Sequence, residues 1–598
     1  MRGIAAFVGL VLCITSAAPS AEDSKQVLWG DTHLHTSLSA DVYMFGTFNS
    51  TAETAYNYAK GLTVENPATG LPTQISAPLD FLVVADHAEL LGTFEGLFAG
   101  NEDIVTTKTG RALREVIGDL SRESLQRGYA LVIQSIFNFD NPYDLTSDDV
   151  LGDLHGGERR RGPWERAIAA ADSANEPGKF TAFIGWEWSS MPNGANLHRI
   201  VLTPDGGDKA SQFLPYSQFE SDDPEELWSW LDQTERATGT RFLAIPHNPN
   251  ISDGRMFPLV TESGGPITAE YARARQRWEP ITEVTQIKGD SETYPTLSPN
   301  DPWADFERWT HILTPDGRQA IPSDGDYARS ALKRGLVLSD TLGINPYAFG
   351  MIGSSDSHIG ISAVDERNFG GKSEPDARPE ERGNPTGIGA SVGWDMSASG
   401  LVAVWAKANT REAIFEAMQR REVYASTGPR IALRYHAILG ENEARVGEAD
   451  DPCEKQSCVT MGGVIKGRLE AAPLLKVLVQ KDPASVNLER VQMVKGWLNK
   501  AGLAQEQVFD LQVAGREGAA EISVQWRDPQ FNPDESAFYY IRVLELPSPR
   551  YSTRDAAVLG IDWRETGKPE TIQERVYSSP IWYGPAKKSP ASAGLYGT

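Results

Sequence analysis

Six of the nine histidines in this chain make up four short motifs and one isolated position. They are His33-Leu34-His35, Asp86-His87, Pro246-His247-Asn248 and Asp356-Ser357-His358, with His198 standing alone. Asp41, Glu187 and Asp356 lie among them or close by. Imidazole and carboxylate are the donors that zinc, manganese and iron accept. Taken together, the residues read as one multinuclear metal site, and the chemistry of such a site is hydrolysis. Two or three divalent ions lower the pKa of a bridging water from about 15.7 toward roughly 7. The same ions offset charge that develops on phosphoryl oxygens. The expected reaction is therefore in-line attack by a metal-activated hydroxide, without a covalent enzyme intermediate.

Each piece is weaker alone. An HxH pair on a strand is commonly surface, His198 within Asn196–Leu202 reads as a core histidine, and Glu187 between Trp186 and Trp188 reads as a buried ion-pair partner. Trp186, Trp188, Trp303 and Trp394 are read as packing residues rather than pocket walls. The metal reading rests on the conjunction and on where the motifs stand. Phe81–Ala85 leads to Asp86-His87, Phe180–Ile184 to Glu187, Phe242–Ile245 to His247, and Tyr347–Ile352 to Asp356 and His358. Short apolar runs of this kind are what buried parallel strands look like. Trp164–Ala174 and Glu225–Arg236 carry helical spacing between them. Strands alternating with helices, with ligands just past the strand ends, predict an α/β barrel whose site lies on its C-terminal rim.

Thr410–Glu422 predicts a helix capped by Asn409 or Thr410. Beyond it the texture changes to short strands, among them Leu474–Gln480, Glu521–Trp526 and Ala537–Leu546, separated by turns. The expected organisation is a signal peptide over 1–21, a hydrolase domain over 22–430 and a β-rich region over 431–598. Segments 98–165 and 285–345 read as long insertions or rim loops, and the stretch after Lys587 as a frayed tail. The signal reading rests on Arg2, the apolar run Ile4–Ile14 and the small residues Thr15–Ala21. It implies a periplasmic or secreted protein, and there Cys453 and Cys458 read as a small-loop disulfide. The formal charge of −25, from 81 acidic and 56 basic residues, disfavours nucleic acid and membrane surfaces as partners. A small-molecule substrate remains, anionic or not, because bound cations invert the local charge. Oligomeric state is open.

The order of these motifs resembles the PHP superfamily, named for polymerase and histidinol phosphatase domains. Gly30–Asp41 (GDTHLHTSLSAD), Asp86–Glu89 (DHAE), Gly353–His358 (GSSDSH), Gly400–Trp405 and Tyr424–Arg430 resemble a bacterial branch filed as domain of unknown function 3604. The resemblance covers roughly 27–435 and extends loosely to Ser579–Tyr583. It implies a distorted (β/α) barrel and three metals. His33, His35 and Asp356 would hold the first, and Glu187 would bridge it to a second on His198 and His247. Asp41, His87 and His358 would hold the third. Many PHP enzymes place a histidine where Asp41 stands, and the oxygen donor shifts preference toward manganese or iron over zinc. Glu187, Asp356 and His358 are assigned to catalysis, Asp31 and Asp86 to orienting ligand rings, and Arg199, Asn248 and Arg255 to substrate oxygens. Loss of His33 or Asp356 is expected to abolish activity with little loss of fold.

The function expected from all this is an exported metal-dependent phosphoesterase acting on a monoester or diester. One alternative keeps the metals and changes the bond to C–N, carboxyl-ester or sulfate-ester. The other is a non-catalytic metal-bound scaffold or carbohydrate-binding protein.

Overall fold

The computed structural model describes residues 25–136, 140–312, 318–362, 364–386, 391–439 and 458–585. The expected signal segment, Cys453 and the tail after Lys587 lie outside the described residues; Cys458 is disulfide-bonded. Among the described residues no helix is long and apolar enough to cross a membrane.

Nine strands carry or border the ligand motifs: β1 Gln26–Leu34, β2 Phe81–Val84, β3 Thr181–Trp188, β4 Arg199–Thr203, β5 Leu243–Pro246, β6 Ile281–Gln286, β7 Gly350–Gly353, β8 Leu401–Ala406 and β9 Val423–Ser426. Seven of them run side by side in one sheet, in the order β9-β8-β1-β2-β3-β4-β5. Within it β1, β2 and β3 are parallel, whereas β8 on β1, β4 on β3 and β5 on β4 are antiparallel. Strands β6 and β7 pair in parallel in a separate sheet. The protein is thus mixed α/β around a large mixed sheet. The regular parallel alternation expected from the apolar runs holds for β1–β3 and for β6–β7. It gives way at β4 because the connection from Trp188 to Arg199 is short, and a short connection returns its strand antiparallel.

Continuous apolar sequence and continuous burial agree. β2 is buried at all four positions and β3 at all eight. The expected helices form at Gly157–Ala174, Pro224–Thr238 and Arg411–Gln419. Thr410 caps the last by accepting from the Ala413 N–H. The rim-loop alternative fails for two segments. Segment 98–165 contains the helices Lys108–Val116 and Arg122–Ile136, which bury Leu113, Leu125, Leu131 and Val132 in a satellite core. Apolar positions at helical spacing outweigh the Gly and charge content that suggested a loop. Segment 285–345 likewise holds the helix Ala328–Leu342.

The C-terminal region is β-rich. Strand Arg575–Ser578 pairs with β9, and Ala537–Glu545 pairs with Arg575–Ser578, so the main sheet continues past residue 431. Ala432–Ile438, Cys458–Thr460, Leu474–Gln480 and Glu521–Trp526 form a second, four-stranded sheet.

Candidate metal centre

The ligand motifs converge because the ends of neighbouring strands and the loops after them meet. The loop after β7 lies along the end of β1, with Asp356 N–H donating to His33 O at 2.8 Å and His35 N–H to Ser357 O at 3.0 Å. The loop after β2 lies along β3, with Glu187 N–H donating to Asp86 O at 3.0 Å. The His247 N–H reaches the His198 carbonyl at 3.4 Å. Glu187 itself lies inside β3 rather than beyond it, at a position where alternation aims it toward the histidines.

All nine expected ligands come together. Glu187 stands at the centre: its carboxylate oxygens lie 3.6 Å from His33, 3.1 Å from His35, 3.3 Å from His87, 2.5 Å from His198 and 3.1 Å from His247. Asp356 Oδ1 lies 3.4, 3.7 and 3.5 Å from His33, His35 and His358. Asp41 Oδ2 approaches His87 at 3.4 Å and His358 at 2.9 Å. Three triads have donor atoms within 4.8 Å of one another: His33–His35–Asp356, His33–Glu187–His247 and His35–His87–His358. The cluster is buried except at Asp41 and His87, whose side chains are 18% and 14% exposed, so these two mark its accessible edge.

Divalent ions fit this donor set. His33 Nε2, His35 Nε2, His198 Nε2, His247 Nδ1 and Glu187 Oε2 are buried and make no hydrogen bond. Each such atom carries a desolvation cost of about 1–3 kcal/mol. His33 Nε2 and His35 Nε2 approach Glu187 Oε2 without hydrogen-bond alignment, and lone pairs that converge in this way are arranged as ligands to a cation are. Asp356 (φ +52°) and Asn248 (φ +49°) are also held in the left-handed region. That costs a non-glycine residue about 1–2 kcal/mol, and such strain gathers at functional sites.

The charges sort the members of the cluster. Burial works against a charged His33, but Asp356 and Glu283 outweigh it and lift its pKa to about 10. Burial is likewise outweighed at His87, where Glu187 and Asp41 raise the pKa to about 10. His198 is pushed down to about 4 by burial, against the pull of Glu187. Burial also lowers His35, His247 and His358. It would raise the three ligand carboxylates, yet their cationic neighbours hold each well below the usual range.

Around the ligands the structure redistributes the expected supporting roles. Asp31 accepts from the N–H groups of His33 and Ser355, both at 3.0 Å, so it ties backbone to backbone rather than orienting a ring. Asp86 accepts from Thr36 N–H at 2.6 Å and from Ser39 Oγ at 2.8 Å, and Ser39 Oγ lies 3.0 Å from His35 Nδ1. It therefore acts on the His35 ring through a serine. Asn248 belongs to the site, accepting from Gln286 at 2.7 Å. Arg199 does not: it follows His198 into β4, points to the other face and pairs with buried Glu279 at 3.0 Å. Arg255 pairs with Glu262 at 2.7 Å, away from the ligands.

Sequence reasoning missed four neighbours. Glu283 Oε2 lies 3.2 Å from His33 Nδ1. Gln286 donates to Asp356 Oδ2 at 2.8 Å, and the Lys288 ammonium pairs with the same oxygen. The Lys372 ammonium lies 2.9 Å from Asp356 Oδ1 and 3.0 Å from His358 Nδ1. Burial pulls Lys372 down to about 8 against the attraction of Asp356, while Asp356 keeps Lys288 raised in spite of burial. For three of them a signal existed. Ile281–Gln286 interleaves Glu283 and Gln286 with apolar residues, and Lys288 follows the strand end as the ligands do. Lys372 sits in a Gly-rich loop without such a signal.

The family model described as protein of unknown function (DUF3604) matches residues 22–518 and 512–585. No curated protein matches. Among solved structures, the chain is similar to a two-domain protein containing a predicted PHP-like metal-dependent phosphoesterase from Bacteroides vulgatus ATCC 8482. Identity is 10%, with 86% of this chain and 91% of that chain covered, at a TM-score of 0.27. A likeness that shallow carries no argument about fold or activity.

Proposed function

This chain belongs to the DUF3604 family, and we propose that it is a metal-dependent hydrolase, specifically a phosphoesterase of a phosphate monoester or diester. The observation that carries the reading is Glu187 within 3.6 Å of five histidines, four of which hold a buried ring nitrogen that makes no hydrogen bond. Two or three divalent ions, zinc, manganese or iron, would be held by His33, His35 and Asp356, by Glu187, His198 and His247, and by Asp41, His87 and His358. When bound, such ions acidify water and polarise ester oxygens. The chain's own residues do the rest. Glu187, Asp356 and His358 fix the ligand geometry, and Glu283 and Ser39 hold the rings of His33 and His35. Lys288 and Lys372 add two positive charges beside Asp356, which suits an anionic ester. Asp41 and His87 line the side from which a small substrate enters. In this proposal the strands around the centre form a distorted PHP-type barrel, the protein is exported to the periplasm or beyond after cleavage within 1–21, and it acts on small molecules rather than nucleic acid or membranes.

The test is hydrolysis of nitrophenyl phosphate and bis-nitrophenyl phosphate with manganese or zinc, alongside nitrophenyl sulfate, nitrophenyl acetate and an anilide, with a His33→Ala control. Metal-dependent turnover of a phosphoester that the control lacks is the expected result. Turnover confined to the sulfate, acetate or anilide would overturn the phosphoesterase assignment.

A further inference from the structure

Lys288 and Lys372 reach Asp356 from two separate loops, and both loops are gripped by one short piece of the C-terminal region. That piece is Arg550 with the helix Tyr551–Leu559 that follows it. On one side the Arg550 guanidinium, 1% exposed, pairs with Glu307 at 2.7 Å and donates to Met396 O at 2.6 Å. The Glu307 carbonyl accepts from Asp290 N–H at 3.0 Å, two residues past Lys288. Ser397, next to Met396, donates from its N–H to Ile287 O at 2.8 Å, one residue before Lys288. On the other side Asp555 accepts from Arg382 Nη1 on both oxygens at 2.7 Å. Arg382 donates to Asp376 O at 3.0 Å, and the Asp376 carboxylate accepts from Lys372 N–H at 2.9 Å. The Tyr551 ring packs on Phe369 of the same loop at 4.0 Å between centroids.

A helix serving only to cover apolar surface would present apolar side chains. This one presents buried charges to the two lysine-bearing loops. Buried ion pairs add little net stability over apolar packing, but removing one partner is costly, so their effect is to fix one geometry. We propose that Arg550 and Asp555 form a clamp that positions Lys288 and Lys372 against Asp356, making this C-terminal helix part of the centre. The functional weight of the clamp rests on the metal-hydrolase reading; the positioning itself does not.

The experiment is lysine acylation of the full, metal-free chain in chelator, read residue by residue by mass spectrometry, with exposed Lys407 as internal reference. Asp555→Asn is expected to raise the labelling rate of Lys372 about tenfold and leave Lys288 protected, and Arg550→Met to do the converse. Should either variant fail to fold, Asp555→Glu and Arg550→Lys keep the charge but shift its reach, and a rise of about threefold at the same lysine is expected. Unchanged protection of both lysines in folded variants overturns the clamp, and so does a rise shared equally with Lys407. Labelling uses neither metal nor substrate. An inactive wild type with the expected labelling would defeat the proposed function and leave the clamp standing, and the reverse pattern would do the opposite.

Discussion

Loading the centre with metal should expel protons, and the structure says how many. Ligand imidazoles bind metal only in the neutral form, so each one that is charged in the free protein must lose a proton first. His33 and His87 are the two, since carboxylates hold both at about 10. His198 at about 4 is already neutral near pH 8, and His35, His247 and His358 are lowered as well. At pH 8 a group at about 10 is roughly 99% protonated, so filling the centre releases about two protons from the ligands, and Lys372, at about 8, supplies a further fraction. Apparent metal affinity should accordingly climb by about two powers of ten per pH unit between pH 7 and 9 if both protons leave together. The assay is titration calorimetry with manganese in buffers of different ionisation enthalpy, which gives the proton count directly. Glu283→Gln removes one of the carboxylates that charge His33, so its count should fall. A release below one proton in the wild type, or a count indifferent to Glu283, would refute the charge assignment.

Two further outcomes follow from the same contacts. Asp356→Asn should abolish turnover, but it should also lower the melting temperature of the chelator-treated protein, by the equivalent of about 3–5 kcal/mol. It strands Lys288 and Lys372 as buried charges, and the triple variant with Lys288→Met and Lys372→Met should recover most of the loss; equal melting of Asp356→Asn and wild type would exclude the pairing. Asp290 lies buried, and desolvation and Glu292 raise its carboxyl to about 7. The folded protein therefore keeps a proton that the unfolded chain sheds near pH 4. The stability this group contributes is whole below about pH 4 and lost as pH rises through about 7. Asp290→Asn keeps the neutral form at every pH, so it should stabilise at pH 8 by up to about 4 kcal/mol and change little at pH 4. A melting shift of the same size at both pH values would contradict it.

The ligands were legible in the sequence because their chemistry is rare and their placement regular. Few side chains bind transition metals, and in this chain most of them stand in the last residues of apolar strands or just past them, so type and position agree. The expectation that Asp356 could be lost with little harm to the fold left out two buried lysines that pair with it. A ligand motif shows what an aspartate can bind, not what leans on it, and Lys288 and Lys372 lie 68 and 16 residues away from it. Arg199 failed in the opposite sense. Adjacent to a ligand in sequence, it is on the other side of the sheet in space, because a strand turns each successive side chain to the opposite face. Strand order was legible only in part, since apolar runs report burial but not direction, and direction at β4 was set by the length of a connection.

What sequence could not reveal at all was the bearing of the C-terminal region on the centre. Arg382 and Asp555 are 173 residues apart, and Arg550 and Glu307 are 243 apart. Neither pair falls within a motif, and arginine and aspartate are so common on surfaces that each alone carries no message. Only burial makes them informative. Arg382, Arg550 and Asp555 are 2%, 1% and 6% exposed, and charges that deep persist only where their partners are fixed. Here the partners are the carbonyls and carboxylates of loops that carry lysines to a metal-ligand aspartate. The regular part of the centre is thus written as local motifs, while its completeness depends on long-range contacts that no local pattern encodes. If that division is right, removal of residues 550–559 should leave the nine-ligand cluster able to take up metal, yet release Lys288 and Lys372 from Asp356. The clamp, and not the ligand set, is where the C-terminal region acts on the chemistry.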